Sequence, residues 1–159
     1  MPLADGFALR LSTPRDVAVI TAHRRAMFEE MRASDSAALD EMSSQFAPWV
    51  EERLASGEYL EWFAVAEDGS IAAGAGLWLM DWPPHVIGRG RRRGNILNVY
   101  TEPRFRRLGL ARSLVETAMQ WCREHDVDVV ILHASDAGRA MYLSLGFRPS
   151  NEMRMLLPS

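Results

Sequence analysis

The sequence predicts an α/β (α+β) fold, a mixed and mostly antiparallel central sheet flanked by helices, in a single domain spanning residues 1–159. Three observations predict it. Two apolar, β-rich runs, Tyr59 to Ala66 and Ile71 to Leu79, flank the turn Glu67-Asp68-Gly69-Ser70 and read as an antiparallel hairpin. After them, strand-like and helix-like segments alternate, which calls for helices crossing a sheet. The chain has 159 residues, 48% of them apolar and 25% charged, which suits one globular domain with a core of its own.

The elements follow in order. Phe7 to Leu11 alternates and reads as a strand. Thr13-Pro14-Arg15-Asp16 is a helix start, with Thr13 as N-cap, Pro14 at the first helical position and Asp16 reaching back as in a capping box. Val17, Ile20, Met27, Phe28 and Met31 recur at helical spacing and give that helix a stripe to bury. A second helical region covers about Ala38 to Ala55, with Met42, Phe46, Val50 and Leu54 four apart; Pro48 is expected to split or kink it. Within the return strand of the hairpin, Gly74 and Gly76 indicate a bulge or a close backbone approach. Met80 to Gly94 reads as a long loop, Asn95 to Thr101 as a strand, and Gly109 to Glu124 as a helix with Leu110, Leu114, Ala118, Trp121 and Cys122 on one face. Val127 to His133 reads as an apolar strand whose histidine is a hydrogen-bonded core residue. Ala137 to Leu145 is a short helix closed by Gly146, and Met153 to Leu157 is a last strand.

Net charge is −3, but it is unevenly spread. Residues 1–88 carry six arginines against fourteen acids, and residues 89–159 carry twelve against seven. That asymmetry points to an anionic ligand on the second half and away from general nucleic-acid binding. No apolar run is long enough to span a bilayer, and Met1-Pro-Leu-Ala-Asp-Gly6 lacks the regions of a secretory signal. One cysteine, Cys122, excludes a disulfide framework. The expectation is a cytoplasmic protein with no membrane and no nucleic-acid partner; a homodimer is left open.

The stretch Asn95-Ile-Leu-Asn-Val-Tyr-Thr-Glu-Pro-Arg-Phe-Arg-Arg-Leu-Gly-Leu-Ala-Arg-Ser-Leu114 joins a strand, an arginine- and glycine-rich turn and an amphipathic helix. Free N–H groups of a first helical turn, the helix dipole and nearby guanidinium groups then converge on one spot, which suits a phosphate or pyrophosphate. Gly109 allows close backbone approach, and Ala111 keeps the first turn uncrowded.

This segment resembles the acyl-CoA-binding signature of the GNAT superfamily of N-acetyltransferases, Gln/Arg-x-x-Gly-x-Gly/Ala, with Arg106, Gly109 and Ala111 in the three places. Ser135-Asp-Ala-Gly-Arg-Ala-Met-Tyr-Leu-Ser-Leu-Gly-Phe147 is similar to the family's Asn-x-x-Ala-x-x-x-Tyr-x-x-x-Gly-Phe, departing from it at Ser135 and Gly138. The resemblance extends over the whole chain in element order. It implies acetyl-CoA as cosubstrate. Backbone groups of Val99, Tyr100 and Thr101 would bond the pantetheine arm like an added strand. Arg106, Arg107, Leu108, Gly109, Leu110, Ala111 and Arg112 would wrap the pyrophosphate, and Ser135 would retain one side-chain contact. Tyr142 would stand by the sulfur and protonate the departing thiolate.

The implied reaction is transfer of an acetyl group to a primary amine of a small molecule or peptide. It requires a general base for the ammonium and a donor for the oxyanion, for which the N–H of Val99 or Tyr100 is the candidate. The strand Asn95 to Tyr100 contains no carboxylate, so Asp81, His85 and Glu102 are the candidate bases. Trp82, His85 and Phe28 are the candidate acceptor contacts, with Phe46, Trp49 and Trp78 as further aromatic candidates. The run Arg89 to Arg93 reads as a solvated tip or as an attractor for an anion. No His, Cys or Asp cluster has metal-ligand spacing, so no metal is expected. The alternative function is a non-catalytic acyl-CoA sensor, kept open by the missing strand carboxylate and by Ser135.

Overall fold

The computed structural model describes residues 2–32 and 35–159; Met1, which opens the segment read above for a secretory signal, lies outside them, as do Ala33 and Ser34. The hairpin forms as its sequence dictates: β2 (Tyr59–Ala66) and β3 (Ile71–Asp81) pair antiparallel around the Asp68-Gly69 turn, where the Asp68 carboxylate accepts from the Ser70 N–H and hydroxyl. Around it the sheet order is β1 (Phe7–Leu11), β2, β3, β4 (Arg92–Thr101), β5 (Val130–Leu132). The first three pairings are antiparallel and the last is parallel. α1 (Val17–Glu30) and α2 (Ser36–Ser56) cover one face; α3 (Leu110–Glu124) and α4 (Arg139–Ser144) cover the other.

Strand alternation sorts two cores. Trp62, Ala75, Leu77, Leu79 and Ile96 meet Leu110, Leu114, Ala118 and Cys122 of α3. Tyr59 and Phe63 meet Ile20 of α1 and Phe46 and Val50 of α2. The capping box at Thr13 and Asp16 is formed on a 3-10 turn, Pro14–Asp16, that leads into α1. α1 buries Ile20 and His23, whereas Met31 of the expected stripe lies exposed past the helix end.

Several elements differ from the sequence expectation. α2 is one 21-residue helix running through Pro48. An interior proline costs a helix about 3 kcal/mol, and Leu39, Phe46 and Val50, buried before and after it, hold both halves to the sheet. β4 begins at Arg92, so Arg92 and Arg93 pair with Asp81 and Met80 and are not part of a loop. β5 spans three residues; Val127 leaves the strand to pack under α3, and the Asp128 carboxylate is taken by the N–H groups of Arg89 and Gly90. His133 therefore lies past the last pairing, more than half exposed, and its Nε2 meets Glu152 at 2.8 Å; it is not a core histidine. Met153 to Leu157 forms no strand. It has the alternation of one but pairs with no described strand, and Met153, Met155, Leu156 and Leu157 stand 79–95% exposed.

A bulge does sit opposite Gly74 and Gly76, but the extra residue is in β4. Asn98, at φ +54°, is that residue. It puts two successive side chains, Leu97 and Asn98, on the α1/α2 face.

Candidate functional site

The bulge at Asn98 and the short β5 shape the site together. β5 pairs with Gly94 to Ile96 only, so from Leu97 to Thr101 no described strand lies against β4 on that side. An extended ligand can add there as a strand would. Val99 is half-buried against the α3 core, and Tyr100 is buried with its ring 5.0 Å from that of His23.

Past Thr101 the chain makes a 3-10 turn, Pro103–Phe105, and then the glycine turn. Arg107 (φ +65°) and Gly109 (φ +74°) are both left-handed, and Gly109 is the N-cap of α3. Glycine adopts that conformation at no steric cost, and a Cβ there would meet nothing within 4 Å. No side chain caps α3, unlike α2, whose Ala38 N–H is taken by Asp35. The leading N–H groups at Leu110, Ala111 and Arg112 thus present an unneutralised positive end to solvent. The open strand edge leads directly to them, and that continuity fits a pantetheine arm ending in a pyrophosphate.

The arginines of the turn differ in what they do. Arg106 folds back: Nε donates to the Thr101 carbonyl at 3.0 Å and Nη2 pairs with Glu30 at 2.5 Å, which holds it firmly protonated. Arg107 is exposed and makes no side-chain bond among the described residues. Arg112 donates to the Ser144 hydroxyl at 2.8 Å and pairs with Glu116, tying α3 to α4. Leu108 projects half into solvent, and Leu110 is buried in the core.

Tyr142 of α4 packs edge-on against Phe147, with ring centroids 5.8 Å apart. Its hydroxyl bonds to no described residue, and burial pushes its pKa up to about 12. Ser135 Oγ accepts from the Gly138 N–H at 3.1 Å, which starts α4. A Cβ at Gly138 would stand 3.0 Å from the Tyr142 ring, so glycine gives that ring its room.

On the opposite face a cavity of about 510 Å³ opens between α1, α2 and the sheet. Phe46, Trp49, Trp78, Met42 and Leu97 wall it, with Arg24, Glu41 and Gln45 as its polar members. A second cavity, about 620 Å³, lies away from the bulge, along α3 beside Trp62 and Trp121. Phe28 lies beside the first cavity, 5.0 Å from the Arg24 guanidinium carbon, without lining it. Trp82 and His85 also lie outside its lining. Trp82 stacks under Arg93 at 4.2 Å, and exposed His85 accepts from the Ile87 N–H. Among the candidate bases, Asp81 is exposed, while Glu102 lies 3.5 Å from buried His23, which desolvation favours in its neutral form.

Beneath the cavity runs a buried polar chain. Arg24 Nη1 donates to Asn98 Oδ1 (2.8 Å), Asn98 Nδ2 to the Tyr59 hydroxyl (2.9 Å), and Tyr59 to Glu61 Oε2 (2.6 Å). Gly74 and Gly76 make the room. A Cβ on Gly74 would come within 2.5 Å of Glu61 Oε1, and one on Gly76 would overlap the Tyr59 hydroxyl. Glu61 is fully buried and its Oε1 has no partner, so burial raises its pKa to about 8 despite the bond from Tyr59. Arg24, Asn98 and Glu61 are absent from the sequence-derived candidates. Their signal is positional: Glu61 alternates with Tyr59 and Phe63, and Arg24 falls between Ile20 and Phe28 at helical spacing.

Among the described residues, no group of three or more His, Cys, Asp or Glu side chains could hold a metal ion, and no helix is long and apolar enough to cross a membrane. A model of the acetyltransferase (GNAT) family matches residues 20–147. A GCN5-related N-acetyltransferase from Ralstonia eutropha is 33% identical, over 96% of this chain and 99% of that one, with a TM-score of 0.89. A predicted acetyltransferase from Clostridium acetobutylicum, solved with acetyl-CoA, is 24% identical over 95% and 96%, with a TM-score of 0.86. A glucosamine-6-phosphate N-acetyltransferase from Arabidopsis thaliana, 20% identical over 95% and 97% at a TM-score of 0.68, shares the fold. No curated protein sequence matches the chain.

Proposed function

The chain belongs to the acetyltransferase (GNAT) family, and we propose that it transfers an acetyl group from acetyl-CoA to a primary amine of a small molecule or peptide. The observation that carries this reading is the open edge of β4 from Leu97 to Thr101, leading into the uncapped start of α3. The thioester brings an activated acyl group. This chain's residues place it, meet its developing charge and give the amine a direct approach from the α1/α2 cavity.

The N–H of Val99 or Tyr100 meets the charge that grows on the carbonyl oxygen. The amine nitrogen forms the new C–N bond as the C–S bond breaks, and one proton passes from the amine to the thiolate. Tyr142 contributes a hydrogen bond to that sulfur. With its pKa near 12 it stays protonated at neutral pH. An ordinary thiol has a pKa of about 8.5, so full proton donation by Tyr142 is uphill and donation of a hydrogen bond is not.

Tyr142→Phe keeps the ring against Phe147 and removes the donor. We expect kcat to fall about a hundredfold, the lower end of acid–base and donor contributions, with the acetyl-CoA Kd nearly constant. Thiol release with a panel of amines measures it. Unchanged kcat would remove Tyr142 from the reaction, and a lack of thiol release with every amine of the panel would favour the non-catalytic sensor.

A homodimer is part of the same proposal. Met153, Met155, Leu156 and Leu157 form an exposed apolar tail, and β5 ends the sheet with one edge open. Apolar surface in such quantity marks an interface, and each copy offers both the tail and the edge. Sedimentation should give a dimer that becomes monomeric on deletion of residues 153–159. A monomer at tens of micromolar would overturn it.

A further inference from the structure

Arg24 is the unusual charge of the acceptor side. Arg25, the other arginine of α1, pairs with Glu29 and Asp40, and Arg10 beside the helix start pairs with Asp16. Arg24 has no carboxylate within ion-pair distance among the described residues. Among those residues its one side-chain hydrogen bond goes to the neutral amide of Asn98. Its guanidinium carbon sits 5.0 Å from the Phe28 ring centroid and 4.8 Å from that of Phe46, and Nε is buried with no acceptor. Two aromatic faces orient a cation but do not neutralise it. A half-buried charge with no carboxylate beside it, lining a cavity, is a standing cost that an incoming anion relieves.

The position of this cation says where the anion sits. Arg24 is one hydrogen bond from Asn98, and Asn98 precedes Val99, where the reacting carbonyl is proposed to lie. A carboxylate on Arg24 would bring an amine attached to the adjoining carbon to the bulge. The remaining wall is apolar and aromatic, with Trp49, Trp78 and Phe46 foremost, and about 510 Å³ suits a small ligand. Glu41 is the other charged residue of the wall, and its carboxylate accepts from Gln45. One cation and one acid leave the cavity formally neutral, which suits a zwitterion better than a phosphorylated sugar.

We infer that the acceptor is an α-amino acid with an apolar or aromatic side chain, its carboxylate held by Arg24 and its side chain received among Phe46, Trp49 and Trp78. This inference rests on the acetyltransferase reading and narrows its substrate class. Arg24 is then a specificity-determining residue: it selects and orients the acceptor.

Matched pairs of amines test it, L-phenylalanine against 2-phenylethylamine and L-leucine against 3-methylbutylamine, with acetyl-CoA and thiol release as readout. In the wild type, kcat/KM for each amino acid should exceed that of its decarboxylated partner by about tenfold or more, the scale of one buried charge-assisted hydrogen bond. Arg24→Met, which keeps an apolar stem between the two rings, should collapse that ratio toward one, chiefly through KM. Equal or better turnover of the decarboxylated amines by the wild type overturns the inference and leaves acetyl transfer standing. So does an Arg24→Met protein in which both classes fall together. If no amine of either class releases thiol, the acetyltransferase reading itself is in question. Calorimetry of L-phenylalanine with the CoA-saturated protein then decides on Arg24 alone: binding that is lost in Arg24→Met supports it, and absence of binding to the wild type overturns it.

Discussion

On one side of β4 the chain offers backbone, and on the other it offers side chains. From Leu97 to Arg112 the exposed hydrogen-bonding groups are an unpaired strand edge and uncapped helical N–H groups, and the side chain of Arg106 is occupied by Glu30 and Thr101. The α1/α2 cavity is walled by Arg24, Phe46, Trp49, Trp78 and Leu97, drawn from α1, α2, β3 and β4. A backbone site depends on conformation, and many side chains tolerate it. A side-chain site is decided residue by residue. On the proposed reading, one surface serves a common donor while the other specialises for an acceptor.

The largest expected effect comes from breaking the backbone side. Gly109→Glu must hold a left-handed φ, which costs a non-glycine residue about 1–2 kcal/mol, and it sets a carboxylate where the pyrophosphate is proposed to lie. Space is not the obstacle, since nothing stands within 4 Å of that Cβ. Acetyl-CoA Kd should rise by about a thousandfold, roughly 4 kcal/mol, in calorimetry. Gly109→Ala, with the strain but no charge, should lose far less. Equal losses in the two variants would mean that conformation alone, and not anion repulsion, governs the turn.

The two sides also differ in how far they can be read from sequence. The donor side lies within one run, Asn95 to Leu114, and its cues are local: a glycine before a helix, arginines in a turn. The acceptor side joins residues 24, 46, 49, 78 and 97, which only the folded sheet brings together. Glu61 and Arg24 are legible as charges at core-facing positions, but a pattern does not reveal their partners. The bulge was signalled by Gly74 and Gly76, yet the added residue is Asn98, because those glycines make room for Tyr59 and Glu61 across β2. Met153 to Leu157 carries the alternation of a strand, and alternation states which way side chains would face without supplying a neighbour to pair with.

A smaller effect is expected from the floor of the acceptor cavity. The Glu61 carboxyl titrates near pH 8 in the folded chain against a reference of 4.5. Between those values the folded state holds a proton that the unfolded state has lost. Stability from this group is thus full below about pH 4.5, falls as pH rises toward 8, and is level above it. Glu61→Gln should remove that fall. Its amide keeps an acceptor for Tyr59 but adds donors where Oε1 already lacks a partner, so the net gain at pH 8 should be about 2 kcal/mol. Urea melts of both proteins from pH 5 to 9 measure it. Parallel pH profiles would show that Glu61 is charged throughout and matched by Arg24 through Asn98 and Tyr59.

The smallest effect should come from the residues that look most like an anion site. Arg91, Arg92 and Arg93 are consecutive cations, yet Arg92 and Arg93 open β4 while the proposed pyrophosphate turn follows its end. Ten residues at roughly 3.3 Å each put about 30 Å between the two ends. The screening length is about 10 Å at 0.1 M salt, so the run acts on the donor weakly at most. Arg93 is further engaged over the face of Trp82 at 4.2 Å, and the Arg92 backbone stands opposite Asp81 in the ladder. Replacing all three by glutamine should change the Michaelis constants for acetyl-CoA and for an amine by less than about twofold at 0.1 M salt. A rise beyond about fivefold that steepens as salt is lowered would mean that long-range charge steers a ligand, and the contrast between a backbone donor site and a side-chain acceptor site would then need a third, electrostatic, region.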